Sequence, residues 1–252
     1  MSTRPALSVL IPAYNERASL AVCVATVKSR LDTLAIDAEF LIVDDGSTDG
    51  TAQIAEAVAA EMPQLRVIHH PHNRGIGAAF KTGAAAAAGE WLILIPADLA
   101  LDVAELGKYL EAAPGADVVV GNRSDVSDYS IFRRLVHVAN IRLIQVLFQM
   151  PLHQYQYISL YRLALLHEMD IEYTDSAFFL AEILIKARAL GARLAEVSIR
   201  YVPRRAGRAT GAHGRQIIYT LRDMGSFWWR WAWRGPQTAS RRRAPALKSP
   251  PA

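Results

Sequence analysis

Short apolar runs alternate with helical patterns through the first half of the sequence, and this alternation most constrains the fold. The predicted strands cover residues 7–11, 40–43, 65–69, 91–95 and 117–120. The predicted helices between them cover residues 18–31, 48–60, 75–88 and 102–110. Strands that alternate with helices are typical of an α/β domain built on a doubly wound, mostly parallel sheet. The length of 252 residues suits one such domain, alone or with a small appendage.

The second half of the sequence is predicted to be mainly helical. Its predicted helices cover residues 128–148, 159–168, 178–191 and 216–233, with one strand at residues 194–201. Sequence rich in Pro, Ser and Arg follows the last helix and is typical of a loose segment. We therefore expect an α/β domain over residues 1–212, a C-terminal aromatic helix over 213–235, and a disordered basic tail over 236–252.

Arginines near the end of the sequence account for the net charge of +4. They are Arg204, Arg205, Arg208, Arg215, Arg222, Arg230, Arg234, Arg241, Arg242 and Arg243. A basic segment indicates an anionic partner, such as a phosphate, a membrane surface or a nucleic acid, or else a solubilising tail. No nucleic-acid-binding motif accompanies these arginines, so we do not expect nucleic acid to be the partner.

Membrane insertion and secretion are not expected from the sequence. It has no secretion signal and no apolar run of the roughly 20 residues that would span a bilayer. The one cysteine, Cys23, cannot form an internal disulfide. We therefore expect a cytoplasmic protein at the inner face of the membrane, where its basic and aromatic end contacts lipid. The sequence leaves the oligomeric state open.

Polar residues follow four of the predicted strands at the point where each strand ends. They lie within residues 12–16, 44–50, 70–75 and 96–98. Because ligands of open α/β sheets bind at the carboxyl ends of the strands, these residues are candidates for a binding site. Gly75 and Gly77 lack the third glycine and the first-strand position of a dinucleotide fingerprint. They indicate instead a close backbone approach at a helix N-terminus.

Three aspartates at these strand ends are candidates for direct ligand contact. Asp44 and Asp45 are adjacent, so their repulsion needs compensation, for which a ribose diol, a base N–H group or a cation would serve. Alternatively, they are turn and helix-cap residues. Asp98 has the oxygen chemistry that suits Mg²⁺ or Mn²⁺ beside a diphosphate. It could instead cap the next helix, although Asp102 fits that cap better.

Four segments, by their order and spacing, resemble glycosyltransferase family 2, and most of all its dolichol- and polyprenyl-phosphate sugar synthases. They are Ser-Val-Leu-Ile-Pro-Ala-Tyr-Asn-Glu at 8–16, Ile-Val-Asp-Asp-Gly-Ser-Thr-Asp-Gly-Thr at 42–51, Asn-Arg-Gly-Ile-Gly-Ala-Ala at 73–79 with Gly83, and Gly-Glu at 89–90. The resemblance implies a GT-A fold and a nucleoside-diphosphate sugar as the donor. It covers residues 7–123 well and is weaker beyond them.

The resemblance implies that Pro12, Tyr14, Glu16 and Asp45 contact the nucleoside of the donor and that Asp98 binds its diphosphate. Asp44 and Lys81 are further candidates for binding the donor. Asp98 corresponds to the last aspartate of the family's Asp-x-Asp motif, which holds the divalent cation, Mg²⁺ or Mn²⁺, and the diphosphate. Pro96 replaces the first aspartate of that motif, so the predicted metal site has one carboxylate fewer.

The resemblance also implies catalytic roles, for Asp98, Arg123, Arg208 and Glu182. In an inverting displacement at the anomeric carbon, Asp98 with its cation and the two arginines would stabilise the leaving diphosphate. Glu182 corresponds to an acidic helical residue of the family and would be the general base for a hydroxyl acceptor. Alternatively, Glu182 is an exposed helical charge.

The sequence differs from the family in the segment that the family uses for the acceptor. His153 and Tyr157 stand where the family has Asp and Gly in its Asp-x-x-x-Gly-Phe segment. The arginines and the aromatic run at 227–234 favour a polyprenyl phosphate acceptor and peripheral membrane contact, unless the tryptophans pack on the domain or on a second subunit. The sequence therefore predicts transfer of a hexose to a polyprenyl phosphate. The alternatives are another family 2 acceptor and a protein that only binds nucleotide sugars.

Overall fold

The computed structural model describes residues 5–123, 131–155, 157–200 and 214–234. Its strands are β1 (Leu7–Ala13), β2 (Ala38–Asp44), β3 (Leu65–His69), β4 (Trp91–Leu94), β5 (Val118–Arg123), β6 (Ser159–Arg162) and β7 (Leu194–Ile199). Its helices are α1 (Leu20–Thr33), α2 (Thr51–Glu61), α3 (Ile76–Ala86), α4 (Leu106–Ala112), α5 (Ile131–Phe148), α6 (Leu163–Glu168), α7 (Phe178–Ala189) and α8 (Gly214–Arg234). A 3₁₀ turn at Val103–Glu105 precedes α4.

The strands of the described residues form one sheet in the order β3-β2-β1-β4-β6-β5-β7. Strand β6 is antiparallel to both of its neighbours, β4 and β5, and the other pairings are parallel. The prediction of a mostly parallel, doubly wound α/β sheet is therefore confirmed. Because β1 to β4 are parallel, their carboxyl ends meet at one edge of the sheet. Strands β5 and β7 point the same way, because β6 reverses direction between β4 and β5.

One predicted element is wrong, because residues 159–168 do not form a single helix. Ser159–Arg162 is strand β6, and only Leu163–Glu168 is helical. Strand β6 lies between β4 and β5, where Leu160 and Tyr161 are buried. Pairing on both sides therefore overrides a local spacing of apolar residues that also fits a helix.

Apolar side chains fill both faces of the sheet. In β1, Leu10 belongs to the cluster on one face, and Val9 and Ile11 belong to the cluster on the other. Helix α3 packs so close to β1 that a Cβ atom at Gly83 would lie 2.2 Å from Leu10 Cδ1. This close approach explains why α3 is rich in alanine and glycine.

Helix α8 packs on the domain through one face. Met224 and Phe227 are buried there, and the Phe227 ring lies 5.5 Å from each of the rings of Phe148 and Phe178. None of the described helices is both long and apolar enough to cross a membrane. The division of the chain into three parts stays a prediction, and the predicted tail at 236–252 lies outside the described residues.

Candidate functional site

The turns that follow β1 and β2 are hydrogen-bonded to each other at the carboxyl edge of the sheet. The Asn15 N–H donates to Ser47 Oγ (3.0 Å), and Asn15 Oδ1 accepts from the Thr48 N–H (2.9 Å). The Glu16 N–H donates to Thr51 Oγ1 (2.8 Å). Asn15 has a φ of 56°, in the left-handed region that asparagine tolerates. The two turns therefore form one surface.

Of the predicted nucleoside-binding residues, Tyr14 and Glu16 lie on the first of these turns and Pro12 lies at the end of β1. Tyr14 is 46% exposed, while Pro12 and Glu16 are half-buried. The Glu16 carboxylate accepts a hydrogen bond from Ser19 Oγ (2.5 Å). The Tyr14 ring is thus accessible to a ligand that lies over this edge of the sheet.

Asp45 is buried and holds the turn that follows β3. Its Oδ1 lies 2.6 Å from His70 Nδ1 and accepts from the Arg74 N–H (2.9 Å), while its Oδ2 accepts from the Gly75 N–H (2.8 Å). His70 Nε2 is in turn 2.9 Å from Thr82 Oγ1. Asp45 therefore fixes the backbone at the start of α3.

Asp44 is held in a similar way by the residue beside it in the sheet. Its Oδ1 accepts from the Ser47 N–H (3.2 Å), and its Oδ2 lies 3.1 Å from His69 Nδ1. Contacts with Glu56, at 2.7 Å from Nε2, and with Asp44 raise the pKa of His69. Each aspartate of the adjacent pair thus has its own histidine partner within the chain.

Sequence reasoning required compensation for the two aspartates and placed His70 among the strand-end candidates, but it recognised neither His69 nor His70 as their partner. A ligand or cation is not needed for that purpose, because the histidines and backbone N–H groups provide it. The signal that could have found them is the parallel register, in which Asp44 pairs with His69. Donor contact by Asp44 and Asp45 stays a prediction.

Asp98 lies in the turn after β4, close to the end of β1. Its Oδ1 accepts from the Ala100 N–H (3.1 Å). Burial raises the pKa of Cys23 to about 12, and the charges of Asp98 and Glu16 add to the rise. The two carboxylates therefore act on the same buried thiol from the turns after β4 and β1. Asp102 has the role predicted for it, since its side chain accepts from the Ala104 N–H and caps the 3₁₀ turn.

The carboxylates at this edge limit the kind of cation site that is possible. Among the described residues, no group of three or more His, Cys, Asp or Glu side chains could hold a metal ion by itself. Mg²⁺ is usually held by one or two carboxylates together with substrate phosphates. Asp98 therefore fits a cation that is shared with a diphosphate.

Arg123 ends strand β5, on the same side of the sheet as the turn that contains Asp98. Its side chain is 8% exposed, and the residue pairs with Ile199 of β7. Arg208, the second arginine predicted to contact phosphate, lies outside the described residues. So do Arg204, Arg205 and Gly207.

The residues that depart from the family's acceptor segment have identifiable partners. The backbone N–H of His153 donates to Glu196 Oε1, and His153 Nδ1 lies near Glu196 Oε2, both at 2.8 Å. The Tyr157 hydroxyl donates to the Ala100 carbonyl (3.4 Å), two residues after Asp98. This segment thus links the turn after β4 to strand β7.

Glu182 lies in a buried ion pair, so the alternative of an exposed helical charge is wrong. Its side chain is fully buried, and Oε1 lies 2.7 Å from Lys186 Nζ. It also accepts from the backbone N–H groups of Glu172 (2.9 Å) and Tyr173 (3.0 Å). Burial raises the pKa of Glu182, and its Lys186 and backbone contacts oppose that rise only in part.

Lys81 contacts the same segment from helix α3. Its Nζ donates to Asp170 Oδ1 (3.0 Å) and to the Ile171 carbonyl (2.8 Å). The structure therefore brings Lys81 and Glu182 together at residues 170–175, which we call the 170–175 segment. The ammonium of Lys81 is directed to this segment, and its contact with the donor stays a prediction.

Helix α8 exposes an apolar stripe on the face opposite to Met224 and Phe227. The side chains of the stripe are Ile218, Trp229 and Trp233, which recur at the spacing of one helical face together with exposed Arg222. Leu221 and Trp228 are also exposed, but they lie nearer to the buried face. Only part of the aromatic run therefore packs on the domain.

Most of the chain matches a known protein family. The model of glycosyl transferase family 2 matches residues 8–185. Polyprenol monophosphomannose synthase of Mycolicibacterium smegmatis is 30% identical over 238 residues, which are 86% of this chain and 86% of that protein. Undecaprenyl-phosphate 4-deoxy-4-formamido-L-arabinose transferase of Aeromonas hydrophila is 38% identical over 130 residues. Those residues are 51% of this chain and 40% of the transferase, so the match spans less than half of that relative.

A solved structure supports the fold. Glucosyl-3-phosphoglycerate synthase from Mycobacterium tuberculosis, in complex with Mn²⁺, uridine diphosphate and phosphoglyceric acid, superposes with a TM-score of 0.65. The two chains are 23% identical, and the match covers 87% of this chain and 78% of the other. This likeness confirms the predicted GT-A fold.

Proposed function

Since the chain belongs to glycosyltransferase family 2, we propose that it transfers a hexose from a nucleoside-diphosphate sugar to a polyprenyl phosphate, with inversion at the anomeric carbon. The observation that carries the proposal is the surface that the turns after β1 and β2 form at the carboxyl edge of the sheet. Tyr14 and Glu16 lie on this surface, and Asp98 lies in the turn after β4 at the same edge. The likeness to a polyprenol monophosphomannose synthase along most of both chains supports the acceptor.

The donor binds with its nucleoside over the turns after β1 and β2 in this proposal. Tyr14 contacts the nucleoside, Pro12 shapes the floor beneath it, and Asp45 fixes the backbone of the neighbouring turn. Asp98 holds the divalent cation, Mg²⁺ or Mn²⁺, which neutralises charge on the diphosphate when bound. Arg123 reaches the phosphates from the end of β5, which adds a second positive charge at the leaving group.

The acceptor is a phosphate rather than a hydroxyl in this proposal. A phosphate is already anionic at neutral pH and needs no strong general base, whereas a hydroxyl does. Glu182, the predicted base, is buried and bonded to Lys186 and to two backbone N–H groups. Because these contacts already occupy the Glu182 carboxylate, they support a phosphate acceptor. We therefore reassign Glu182 from general base to positioning residue.

Helix α8 provides peripheral contact with an anionic lipid surface, at the inner face of the membrane. Its exposed stripe combines tryptophans with Arg222, and tryptophan with arginine suits the bilayer interface. Helix α5 adds exposed apolar side chains at Leu135, Val138 and Val146. The basic residues near the end of the chain complement anionic lipid rather than a second, equally basic copy of the protein.

The test is to incubate the protein with radiolabelled UDP- and GDP-sugars, Mg²⁺ or Mn²⁺, and a short polyprenyl phosphate. We expect labelled product that partitions into organic solvent. Transfer only to water-soluble acceptors would show that the acceptor is not a polyprenyl phosphate. Binding of a nucleotide sugar without any transfer would favour a non-catalytic binding protein.

A further inference from the structure

The 170–175 segment lies between the C-terminal helix and the turn at the start of α3. A Cβ atom at Gly77 would lie 2.4 Å from the Thr174 carbonyl oxygen, so the segment touches the backbone of that turn. Asp45 holds the other side of the turn through the N–H groups of Arg74 and Gly75. Any shift of the segment is therefore transmitted to backbone that Asp45 also fixes.

Buried charges hold the segment from the side of helix α7. Lys186 is fully buried, and its ammonium donates to the Asp170 carbonyl (2.6 Å), Glu172 Oε1 (3.0 Å) and Glu182 Oε1 (2.7 Å). These three contacts use all the protons of the ammonium group. Burial alone would raise the pKa of Glu172, but Lys186 and Arg230 outweigh it and lower that pKa.

Arg230 contacts the 170–175 segment from helix α8. Its Nη2 lies 2.8 Å from Glu172 Oε2, and the same group donates to the Tyr173 hydroxyl. The Tyr173 ring also packs edge-on against Phe227, with ring centres 5.8 Å apart. Glu182, Lys186, Glu172 and Arg230 therefore form an alternating chain of charges from α7 to α8.

We infer that Arg230 is a positioning residue for the turn at residues 74–77, which neighbours the proposed nucleotide site, and that it acts through Glu172, Tyr173 and Thr174. The way helix α8 is seated then sets the order of the backbone at residues 74–77. The second part of the inference rests on the proposed membrane contact. A lipid surface that binds the exposed face of α8 favours its seated position and so strengthens nucleotide binding, because a ligand shifts a conformational equilibrium toward the state it prefers.

Hydrogen–deuterium exchange of Arg230→Gln tests the first part without any nucleotide or lipid. The loss of the contacts with Glu172 and Tyr173 should raise exchange about fivefold in peptides that cover residues 74–79, as well as in the 170–175 segment. Arg193→Gln is the matched control. It also removes one arginine charge and its pairing with a carboxylate, but Arg193 pairs with Asp117 just before β5, at the opposite edge of the sheet, and is 60% exposed. Arg230→Lys, which keeps the charge, should restore part of the protection.

Nucleotide binding provides the functional readout. With Mn²⁺ present, we expect the Kd for UDP or GDP, whichever the wild type binds, to rise about fivefold in Arg230→Gln and to stay unchanged in Arg193→Gln. Exchange that rises only at 170–175 would overturn the inference, and so would a uniform rise that includes β1. An equal effect in the Arg193→Gln variant would overturn it as well.

Vesicles of phosphatidylglycerol and phosphatidylcholine test the second part. They should slow exchange at residues 74–79 in the wild type, whereas Arg230→Gln should bind the vesicles and show no slowing. Vesicle binding without slowing in the wild type would overturn the coupling. Failure of the wild type to bind vesicles would contradict the proposed membrane contact instead, while the exchange of Arg230→Gln in solution still decides the role of Arg230.

Discussion

His70 and Asp45 form a buried pair in which Nδ1 of the imidazole lies 2.6 Å from Oδ1 of the carboxylate. An ionised carboxylate only accepts hydrogen bonds, so Nδ1 donates and Nε2 is left facing the Thr82 hydroxyl. The same carboxylate accepts from the backbone at Arg74 and Gly75. One histidine thus orients the group that shapes the start of helix α3.

Replacement of His70 should therefore destabilise the protein. In His70→Phe the buried Asp45 carboxylate loses its hydrogen bond with the imidazole, which should lower the free energy of unfolding by about 1–3 kcal/mol. Urea unfolding should show a lower midpoint for this variant. His72→Ala is the control, because His72 is exposed two residues away, and its midpoint should match that of the wild type. Equal midpoints for His70→Phe and the wild type would contradict the structural role of the pair.

Gly77→Ala should also reduce stability, although alanine favours a helix over glycine by about 1 kcal/mol. The new Cβ atom would lie 2.4 Å from the Thr174 carbonyl oxygen and 2.7 Å from its Cα atom, and backbone atoms cannot move aside cheaply. Overpacking of this kind costs about 1–3 kcal/mol, so the clash outweighs the helical preference. Gly115→Ala, where no atom lies within 4 Å, is the control. A melting temperature of Gly77→Ala above that of the wild type would rule out the close contact.

The strand ends show how much of the site the sequence predicts. The polar residues after β1, β2 and β4 are recognised because strands that end in polar residues at one sheet edge indicate a ligand site. The histidine partners of Asp44 and Asp45 are not recognised from local patterns, because they come from the neighbouring strand and depend on its register. The same limit applies to Ser159–Arg162, whose place between two strands is decided by tertiary pairing.

Glu182 illustrates a second limit of the sequence. A glutamate in a helix can face solvent, a substrate or the core. Only the position of Lys186 one turn later and the folding of the 170–175 segment onto Glu182 distinguish these cases. The family resemblance locates the residue but not its burial. The physical role emerges from contacts between segments that are distant in sequence.

His69 should make the free energy of unfolding depend on pH. The pKa of His69 is raised in the folded state, so its interactions stabilise the protein fully below the unfolded pKa of about 6.5 and are lost as the pH rises through the folded value. Because the side chain is 41% exposed, solvent screening limits the effect to less than about 1 kcal/mol. Urea unfolding at pH 5.5 and pH 8.5 should therefore show a larger difference between the wild type and His69→Gln at the lower pH. A difference that grows toward high pH would contradict the assigned sign.

Asp98→Asn should reduce transfer by at least about 10²-fold, judging by losses from comparable electrostatic groups. The substitution keeps the shape of the side chain but removes the charge that would hold the cation at the diphosphate. Asp102→Asn is the matched control, since Asp102 caps the 3₁₀ turn and asparagine caps nearly as well. Removal of divalent cations with EDTA should abolish the activity of the wild type, and excess Mn²⁺ should restore it. Turnover that is unchanged in Asp98→Asn would exclude Asp98 as the cation ligand.

Two tryptophans on the exposed face of α8 should determine binding to lipid. Trp229 is 60% exposed and Trp233 is 73% exposed, with their ring centres 5.5 Å apart, so neither is needed for packing on the domain. The double variant Trp229→Ser with Trp233→Ser should sediment at least about tenfold less with anionic vesicles, since each lost aromatic side chain removes over 1 kcal/mol of burial. Val22→Ser, an exposed apolar site on α1 with 57% exposure, provides the control.

The melting temperature of the double variant should stay near that of the wild type, because the face of α8 that packs on the domain contains Met224 and Phe227 instead. If the variant instead changes from dimer to monomer in solution while vesicle binding is unaltered, the stripe is an interface with a second copy and the lipid assignment is wrong.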